Sequence, residues 1–308
     1  MKVLFVGFGS IAKKHAAVLR VIVGANLELF ALRSSKEYKE IEGVVSVFNK
    51  EDVPKDLSFV IISNPTAFHY KSILEALELN IPIFIEKPVH HELNKLNELI
   101  DLFKKKKVKS YVACNLRFNK CLQFVKNKID GGEYGDVQEV VAYCGSYLPD
   151  WRPNVDFKKV YSANEKLGGG VHLDLIHEID YIFWLFGKPL DVKSFFYNKS
   201  KLDIDSVDYA NYLLIYRSYV ANISLNYFRK DSKRTLEVIF EKGTVRIDFL
   251  KNEVYENNEL LFKLNDNDSL STYKDQMEYF ISNLENGTIM MNNIEEAGEV
   301  LKICLKNG

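Results

Sequence analysis

The chain contains 308 residues, of which 47% are hydrophobic and 27% charged, as in globular proteins of about two domains. Its 41 basic and 42 acidic residues leave a net charge of −1, which argues against nucleic acid or an anionic membrane as a partner. The four scattered cysteines favour a reducing cytoplasm without a disulfide framework or zinc site. The first strand is expected from Lys2, leaving no room for a signal peptide, and no apolar run reaches membrane-spanning length.

The first third of the sequence alternates short apolar runs with helical patterns. Strands are predicted over residues 3–6, 27–32, 59–62, 83–85 and 110–113, and helices over 11–21, 68–79 and 93–106. Because near-continuous β-branched strands alternate with helices, the pattern predicts a parallel sheet covered on both faces. We therefore assign residues 1–117 to a doubly wound α/β domain.

Residues 118–308 follow a different pattern. A helix (119–129), a strand (137–147), a loop and a second helix (171–186) precede five or six strands, and two helices (272–284 and 294–305) follow. Short turns at 217–219 and 242–243 separate apolar strands, which indicates hairpins. We therefore predict a C-terminal α+β domain with an open, largely antiparallel sheet.

A glycine-rich turn, Gly7-Phe8-Gly9-Ser10-Ile11-Ala12, links the first predicted strand to the first helix. Gly7 permits a tight turn, Gly9 permits close approach of a pyrophosphate, and Ala12 permits close packing of the helix on the strand. Ser10 and Ile11 begin the helix, whose amides would face the phosphates. The motif predicts a dinucleotide site of the Rossmann type; the alternative is a tight turn that binds nothing.

The second predicted strand ends at Leu32-Arg33-Ser34-Ser35, without the acidic residue that would hold the ribose 2′-hydroxyl of NAD. Arg33 and Ser34 instead suit a 2′-phosphate, through charge-assisted hydrogen bonds. The segment therefore favours NADP, with NAD still possible. The alternative is a solvent-exposed arginine in a loop.

Lys87 follows the apolar stretch from Ile81 to Ile85, which is typical of a buried parallel strand. Ligands bind outside the carboxyl ends of such strands, so this lysine is expected to face the nicotinamide. The alternative is a strand-end lysine whose ammonium reaches solvent.

Several motifs, in their order, resemble the Gfo/Idh/MocA oxidoreductases, the family of glucose–fructose oxidoreductase and inositol dehydrogenase. They are Gly7 to Ala12, Asn64-Pro65-Thr66 with His69, Glu86-Lys87-Pro88, Asn115-Leu116-Arg117-Phe118, and Gly168-Gly169-Gly170 leading to Asp174 and His177. The resemblance implies a Rossmann domain, an α+β domain whose sheet often pairs subunits into a homodimer or homotetramer, and hydride transfer between a nicotinamide and a sugar, polyol or sugar-nucleotide carbon.

The resemblance also implies the residues that contact the cofactor. They are Asn64, Pro65, Thr66, His69, Glu86 and Lys87, and the alternative for His69 is a histidine that caps the helix or packs against it. Arg117 is assigned to the cofactor or the substrate, with an inter-domain salt bridge as the alternative.

Alcohol oxidation needs a base for the hydroxyl proton and a cation for the alkoxide-like transition state. An imidazole titrates near neutral pH, which makes His177 the predicted base and Lys87 the predicted cation. Asp174, one helical turn earlier, would orient the imidazole or bind a substrate hydroxyl. The family pattern places its aspartate four residues before the histidine, whereas the interval here is three. The alternative for His177 is a packed core histidine; no metal site is expected, because the HExxH spacing is lacking.

The loop from Asp150 to Lys166 is rich in aromatic and cationic residues. Trp151 suits stacking on a sugar, and Arg152 suits a phosphate or carboxylate; the alternative is a lid or subunit contact. The loop is similar to family members of bacterial surface-sugar pathways, which implies a sugar-nucleotide or nonulosonate-type substrate. Two other hypotheses stay open: a non-catalytic NAD(P)-binding regulator, and a redox-assisted glycosidase or lyase with tightly bound NAD.

Overall fold

The computed structural model describes residues 1–33, 40–264, 270–285 and 289–306. Its strands are β1 Lys2–Val6, β2 Glu28–Leu32, β3 Val45–Val47, β4 Phe59–Ile62, β5 Ile83–Ile85, β6 Ser110–Val112, β7 Val137–Tyr147, β8 Asp191–Tyr197, β9 Tyr209–Ile215, β10 Val220–Asn226, β11 Phe228–Phe240, β12 Gly243–Asp248, β13 Glu253–Glu256 and β14 Glu259–Lys263. Its α-helices are α1 Ser10–Val23, α2 His69–Leu77, α3 Leu96–Lys106, α4 Lys120–Asp130, α5 Val171–Asp174, α6 His177–Phe186, α7 Ser271–Ser282 and α8 Ile294–Cys304.

The chain divides into two compact units. Unit 1 comprises Met1–Asn115 and Asp268–Gly298, and unit 2 comprises Leu116–Asn267 and Glu299–Gly308. Within the described part of the chain, no helix has the length and apolar character needed to cross a membrane.

Unit 1 contains a six-stranded parallel sheet in the order β3-β2-β1-β4-β5-β6. Every residue of β4 and β5 is buried, as expected for strands covered on both faces. The predicted doubly wound fold is confirmed. The sequence missed only the short outer strand β3, whose sequence Val-Ser-Val lacks a continuous apolar run.

The segment 268–298 belongs to unit 1 although it follows the strands of unit 2 in the sequence. Phe280 of α7 is fully buried and packs edge-on against Phe59 and Phe84, at centroid distances of 5.0 and 5.3 Å. Such aromatic pairs add stability beyond the burial of their area. The predicted division after Arg117 did not include this return of the chain.

Unit 2 contains an eight-stranded sheet in the order β14-β13-β12-β11-β7-β10-β9-β8. All neighbours are antiparallel except β7 and β10, so the predicted largely antiparallel sheet is confirmed, including the hairpins β9–β10 and β11–β12. Seven strands follow α6, where five or six were expected.

The predicted helix over residues 171–186 is wrong as a single element. It is divided into α5 and α6 at Leu175 and Ile176, and Leu175 has φ −99° and ψ 29°, outside the helical region. Asp174 therefore ends one helix and His177 begins the next, so the one-turn relationship expected between them does not apply.

Candidate functional site

Four of the predicted cofactor positions lie at one edge of the unit 1 sheet. Gly7, Arg33, Asn64 and Glu86 come directly or almost directly after β1, β2, β4 and β5. The sheet order reverses between β1 and β4, and ligands of doubly wound sheets bind outside the carboxyl ends of strands at such a point. The sheet topology thus places residues that are far apart in sequence at the same edge of the sheet.

Gly7 is required by both its conformation and its surroundings. Its φ is +83°, a left-handed value that side chains disfavour, and a Cβ there would lie 2.8 Å from Asn64 Cα. Ser63 Oγ donates to the Gly7 carbonyl at 2.9 Å. The turn after β1 is therefore held tightly against the end of β4.

The start of α1 suits an anionic ligand. Its N-cap, Gly9, has no capping side chain, and the first turn from Ser10 through Ile11 carries no acidic residue. A Cβ on Gly9 would meet nothing within 4 Å, so the space beside the backbone is open. Uncapped helix amides facing open space fit the pyrophosphate of a dinucleotide.

Arg33 lies between the ends of β2 and β3. Its backbone N–H donates to the Val47 carbonyl at 2.9 Å, and its Nη1 donates to Ser46 Oγ at 3.1 Å. The missed strand β3 thus supports the arginine that was assigned to the cofactor. Ser34 lies outside the described residues.

The Asn64-Pro65-Thr66 segment leads from β4 into a short 3₁₀ turn at Thr66–Phe68. The Asn64 amide donates to Ser72 Oγ at 2.8 Å, and Thr66 is buried. Asn64 Oδ1 is also buried and has no hydrogen-bond partner among the residues described. A buried acceptor of this kind fits a hydroxyl group of a bound cofactor.

His69 connects two of the predicted motifs. Its Nδ1 lies 3.0 Å from the Pro88 carbonyl oxygen and its Nε2 lies 2.9 Å from the Asn64 carbonyl oxygen. Complete burial lowers the pKa of His69 below its usual value. A neutral imidazole has one N–H, so only one of these contacts is a hydrogen bond at a time.

Lys87 is presented by a buried frame. Between Ile83 and His90 every residue is buried except Lys87, and the Lys87–Pro88 peptide is cis. Glu86 Oε2 accepts from the Lys87 backbone N–H at 3.3 Å, and Glu86 Oε1 lies 2.5 Å from Nε2 of the fully buried His15. Lys87 is thus flanked by buried residues, and its backbone N–H is hydrogen-bonded to Glu86.

His177 has a comparable position in unit 2. Between Gly168 and Ile182 every residue is buried except His177, the first residue of α6. His177 is thus the one residue of this segment that is partly exposed. The assignment of His177 as the base stays a prediction.

Asp174 binds two tyrosine hydroxyls. Tyr161 donates to its Oδ1 at 2.6 Å and Tyr227 donates to its Oδ2 at 2.5 Å. Burial, and then the negative charge of Asp174, raises the pKa of both tyrosines well above the usual value, so they remain protonated donors. The Asp174 carboxylate thereby links two parts of unit 2. Tyr161 belongs to the loop from Asp150 to Lys166, and Tyr227 lies between β10 and β11.

Trp151 and Arg152 lie on the same loop. Trp151 donates from Nε1 to Ser146 Oγ at 2.8 Å and packs edge-on against Tyr227 at 5.3 Å, with 39% of the residue exposed. Arg152 is exposed. The loop is closed at its far end by Gly169, where a Cβ would lie 2.1 Å from the Tyr161 carbonyl oxygen. Trp151, Tyr227, Asp174 and Tyr161 therefore form one connected group.

Arg117 forms a buried bidentate pair with Asp180 of α6. Its Nε and Nη2 donate to the carboxylate at 3.0 and 2.6 Å, and both side chains are almost completely buried. Two residues earlier in the same helix, Glu178 is fully buried and pairs with Arg234 at 2.6 Å. Both pairs lie within unit 2 and fix α6 next to His177. The assignment of Arg117 to cofactor or substrate stays a prediction.

Sequence reasoning missed His15, Tyr161 and Tyr227. His15 lies on the buried stripe of α1 with Ala12, Ala16 and Leu19, a spacing that indicates a core position without naming a partner. Among the described residues, no group of three or more His, Cys, Asp or Glu side chains has a geometry that could hold a metal ion.

Two family models match this chain. A model described as the NAD-binding Rossmann fold of the GFO/IDH/MocA oxidoreductase family covers residues 1–114, and a model of the GFO/IDH/MocA C-terminal domain covers residues 122–246. The chain belongs to the Gfo/Idh/MocA oxidoreductase family. The family predicted from the motifs is thereby confirmed.

Two solved structures share the fold along almost the whole chain. The scyllo-inositol dehydrogenase of Lactobacillus casei, with bound NAD(H) and scyllo-inositol, is 23% identical with a TM-score of 0.80, covering 99% of this chain and 95% of its own. The WlbA dehydrogenase of Bordetella pertussis, in complex with NADH and UDP-GlcNAcA, is 17% identical with a TM-score of 0.82, covering 98% and 92%.

Curated relatives match over shorter stretches. The 2,7-anhydro-N-acetylneuraminate hydratase of Mediterraneibacter gnavus is 26% identical over 145 residues, which is 46% of this chain and 36% of that protein. Across eight such relatives, the chain covers between 35% and 56% of the length of the other protein.

Proposed function

We propose that this protein transfers a hydride between a nicotinamide cofactor and the hydroxyl-bearing carbon of a sugar, polyol or sugar nucleotide. The observation that carries the proposal is the position of Lys87. It is the one residue of segment 83–90 that is not buried, and it follows a strand of the NAD-binding fold.

The chemistry divides between two side chains. When bound, the cofactor supplies the carbon that accepts the hydride from the substrate. The Lys87 ammonium stabilises the negative charge that develops on the substrate oxygen, and the His177 imidazole accepts the hydroxyl proton. In the reductive direction, His177 returns this proton to the oxygen.

Asp174 supports this chemistry through the loop. Both of its oxygens accept tyrosine hydroxyls, so we propose that it fixes the loop carrying Trp151 and Arg152. Trp151 is half-exposed with its indole N–H engaged, which leaves the ring to stack on a sugar. Arg152 would then hold a phosphate or carboxylate of the substrate.

NADP is the proposed cofactor. Arg33 is anchored between β2 and β3, where the 2′-position of a bound dinucleotide is expected in this fold. Relatives of known structure bind NAD(H) with either an inositol or a UDP-sugar, which supports the sugar-type substrate and leaves NAD possible. We also propose a role in bacterial surface-sugar metabolism, which is supported by the resemblance of the loop carrying Trp151 and Arg152 to family members of such pathways.

Homo-oligomerisation is proposed through the open sheet of unit 2. Phe195 and Leu213 lie on adjacent strands and are 59% and 40% exposed. Exposed apolar groups of this kind mark interaction surfaces. Light scattering should give a mass two or four times that of the chain; a monomer at micromolar concentration would contradict it.

The test is a turnover assay with the purified full chain. Absorbance at the reduced-nicotinamide band is followed with NADP⁺ or NAD⁺ and, in turn, scyllo-inositol, myo-inositol and UDP-GlcNAcA. A rise with any of them that is lost in Lys87→Ala supports the proposal. Dinucleotide binding without turnover of any sugar in either direction would favour a regulator instead.

A second function is favoured by the hydratase relative. A hydratase causes no net oxidation, so a hydride taken from the sugar must return to it within one cycle. The discriminating result is conversion of 2,7-anhydro-N-acetylneuraminate, seen by mass spectrometry, without a lasting change in absorbance and with NAD retained through purification. This result would replace the dehydrogenase proposal for the whole protein.

A further inference from the structure

His15 contacts the segment that carries Lys87, although 71 residues separate it from Glu86. The His15 Nε2 lies 2.5 Å from Glu86 Oε1. The carboxylate can only accept, so the imidazole donates from Nε2. Its Nδ1 has no partner among the described residues, which is consistent with a single proton on Nε2.

The His15 ring has little room to turn. It packs edge-on against Phe84 at 5.0 Å and against Tyr273 at 5.8 Å, and it is completely buried. A packed ring that donates one hydrogen bond fixes the position of the acceptor. The side chain of Glu86 therefore has a defined orientation.

Glu86 passes this constraint to the Lys87 backbone. Its second oxygen, Oε2, accepts from the Lys87 N–H at 3.3 Å. On the other side, the Pro88 carbonyl lies 3.0 Å from the buried His69. The three-residue segment is thus held from both ends, and only the lysine side chain leaves it.

We infer that His15, acting through Glu86, is a positioning residue for Lys87. This inference rests on the proposed function of Lys87. A rigid backbone on either side of the lysine keeps its ammonium at one point, where it stabilises the developing oxyanion without reorganisation. The competing interpretation is that His15 is only a core residue, in which case its replacement would change stability but not turnover.

The test compares two replacements of His15. His15→Phe retains the aromatic packing and removes the donor, whereas His15→Gln retains an N–H at the position of Nε2. We expect His15→Phe to lower kcat about tenfold or more, with KM and the NADPH dissociation constant within about twofold, and His15→Gln to recover most of the rate. Equal losses in both variants, in step with a lowered Tm, would overturn the inference.

Coupling to Lys87 separates this inference from the proposed function. In a Lys87→Ala background, His15→Phe should cause no further loss of kcat, because the group that it positions is absent. Additive losses would overturn the inference while leaving the proposed function intact. If Lys87→Ala alone retains the wild-type rate, the result contradicts the proposed function itself.

A crystal structure of His15→Phe with NADPH provides a readout without turnover. We expect the Lys87 Cα to move by about 1 Å or more relative to the wild type, with the Gly7 turn unchanged. An unmoved Lys87 would overturn the inference whichever sugar is the substrate.

Discussion

The Tyr227 hydroxyl lies 2.5 Å from Asp174 Oδ2, and both groups are buried. A carboxylate in this position needs its donors, because a buried acceptor without a partner costs the full desolvation of the group. Tyr161 supplies the second donor at 2.6 Å. Both carboxylate oxygens of Asp174 thus accept hydrogen bonds from within unit 2 before any substrate binds.

Removing either donor should destabilise unit 2. We expect Tyr227→Phe to lower the free energy of unfolding by about 1–3 kcal/mol, since Asp174 Oδ2 loses its partner. Urea denaturation measures the change, with Tyr197→Phe, on the exposed strand β8, as the control. Equal stability of Tyr227→Phe and the control would show that the hydrogen bond contributes nothing.

Loss of either proposed catalytic group should slow turnover sharply. We expect Lys87→Ala and His177→Ala each to lower kcat by about a hundredfold or more, because the developing oxyanion then lacks its cationic donor and the hydroxyl proton lacks its acceptor. Steady-state assays measure this, with the exposed Lys71→Ala as the control. Near-normal rates in both variants would remove the mechanism.

Arg33 should distinguish the two nicotinamide cofactors. Wild type should bind NADPH more tightly than NADH, and Arg33→Ala should weaken NADPH binding about tenfold or more while changing NADH binding little, since a charge-assisted hydrogen bond to the 2′-phosphate is lost. Fluorescence titration gives both constants, and Lys50→Ala removes a solvent-exposed cation as the control. Equal wild-type affinities would contradict the NADP assignment.

Breaking the buried Arg117–Asp180 pair should cost far more than breaking a surface pair. We expect Arg117→Ala to lower the free energy of unfolding by about 3–5 kcal/mol, because Asp180 is left buried and uncompensated. Lys126→Ala, which breaks the exposed pair with Asp130, is the control and should change stability much less. Similar effects would indicate that water enters to solvate Asp180.

His172 should make stability depend on pH. Burial lowers its pKa from 6.5 to about 4, so the unfolded chain binds the proton first as pH falls. The stabilisation is complete above pH 6.5 and is lost on acidification through about 4, on the order of 3 kcal/mol in total. His172→Phe should flatten urea-unfolding free energies over this range; an unchanged slope would assign the dependence to other groups.

The sequence predicted those features that depend on neighbours along the chain. The strand ends, the Gly7–Gly9 turn and the position of Lys87 follow from local patterns, and the unit 1 topology then brings them to one edge. The links from His15 to Glu86 and from Tyr227 to Asp174 join residues 71 and 53 positions apart, and no local pattern encodes such pairs. The break between α5 and α6 was also missed, since neither proline nor glycine lies within 171–186.

The late return of residues 268–298 to unit 1 has a practical consequence for dissecting the protein. A fragment ending at Asn115 would uncover Phe59 and Phe84, the partners of Phe280, and would present an aromatic patch prone to self-association. An autonomous nucleotide-binding half therefore requires a gene fusion that joins the first 115 residues directly to α7. A single crossover after Asn115 would separate residues 268–298 from the unit to which they belong.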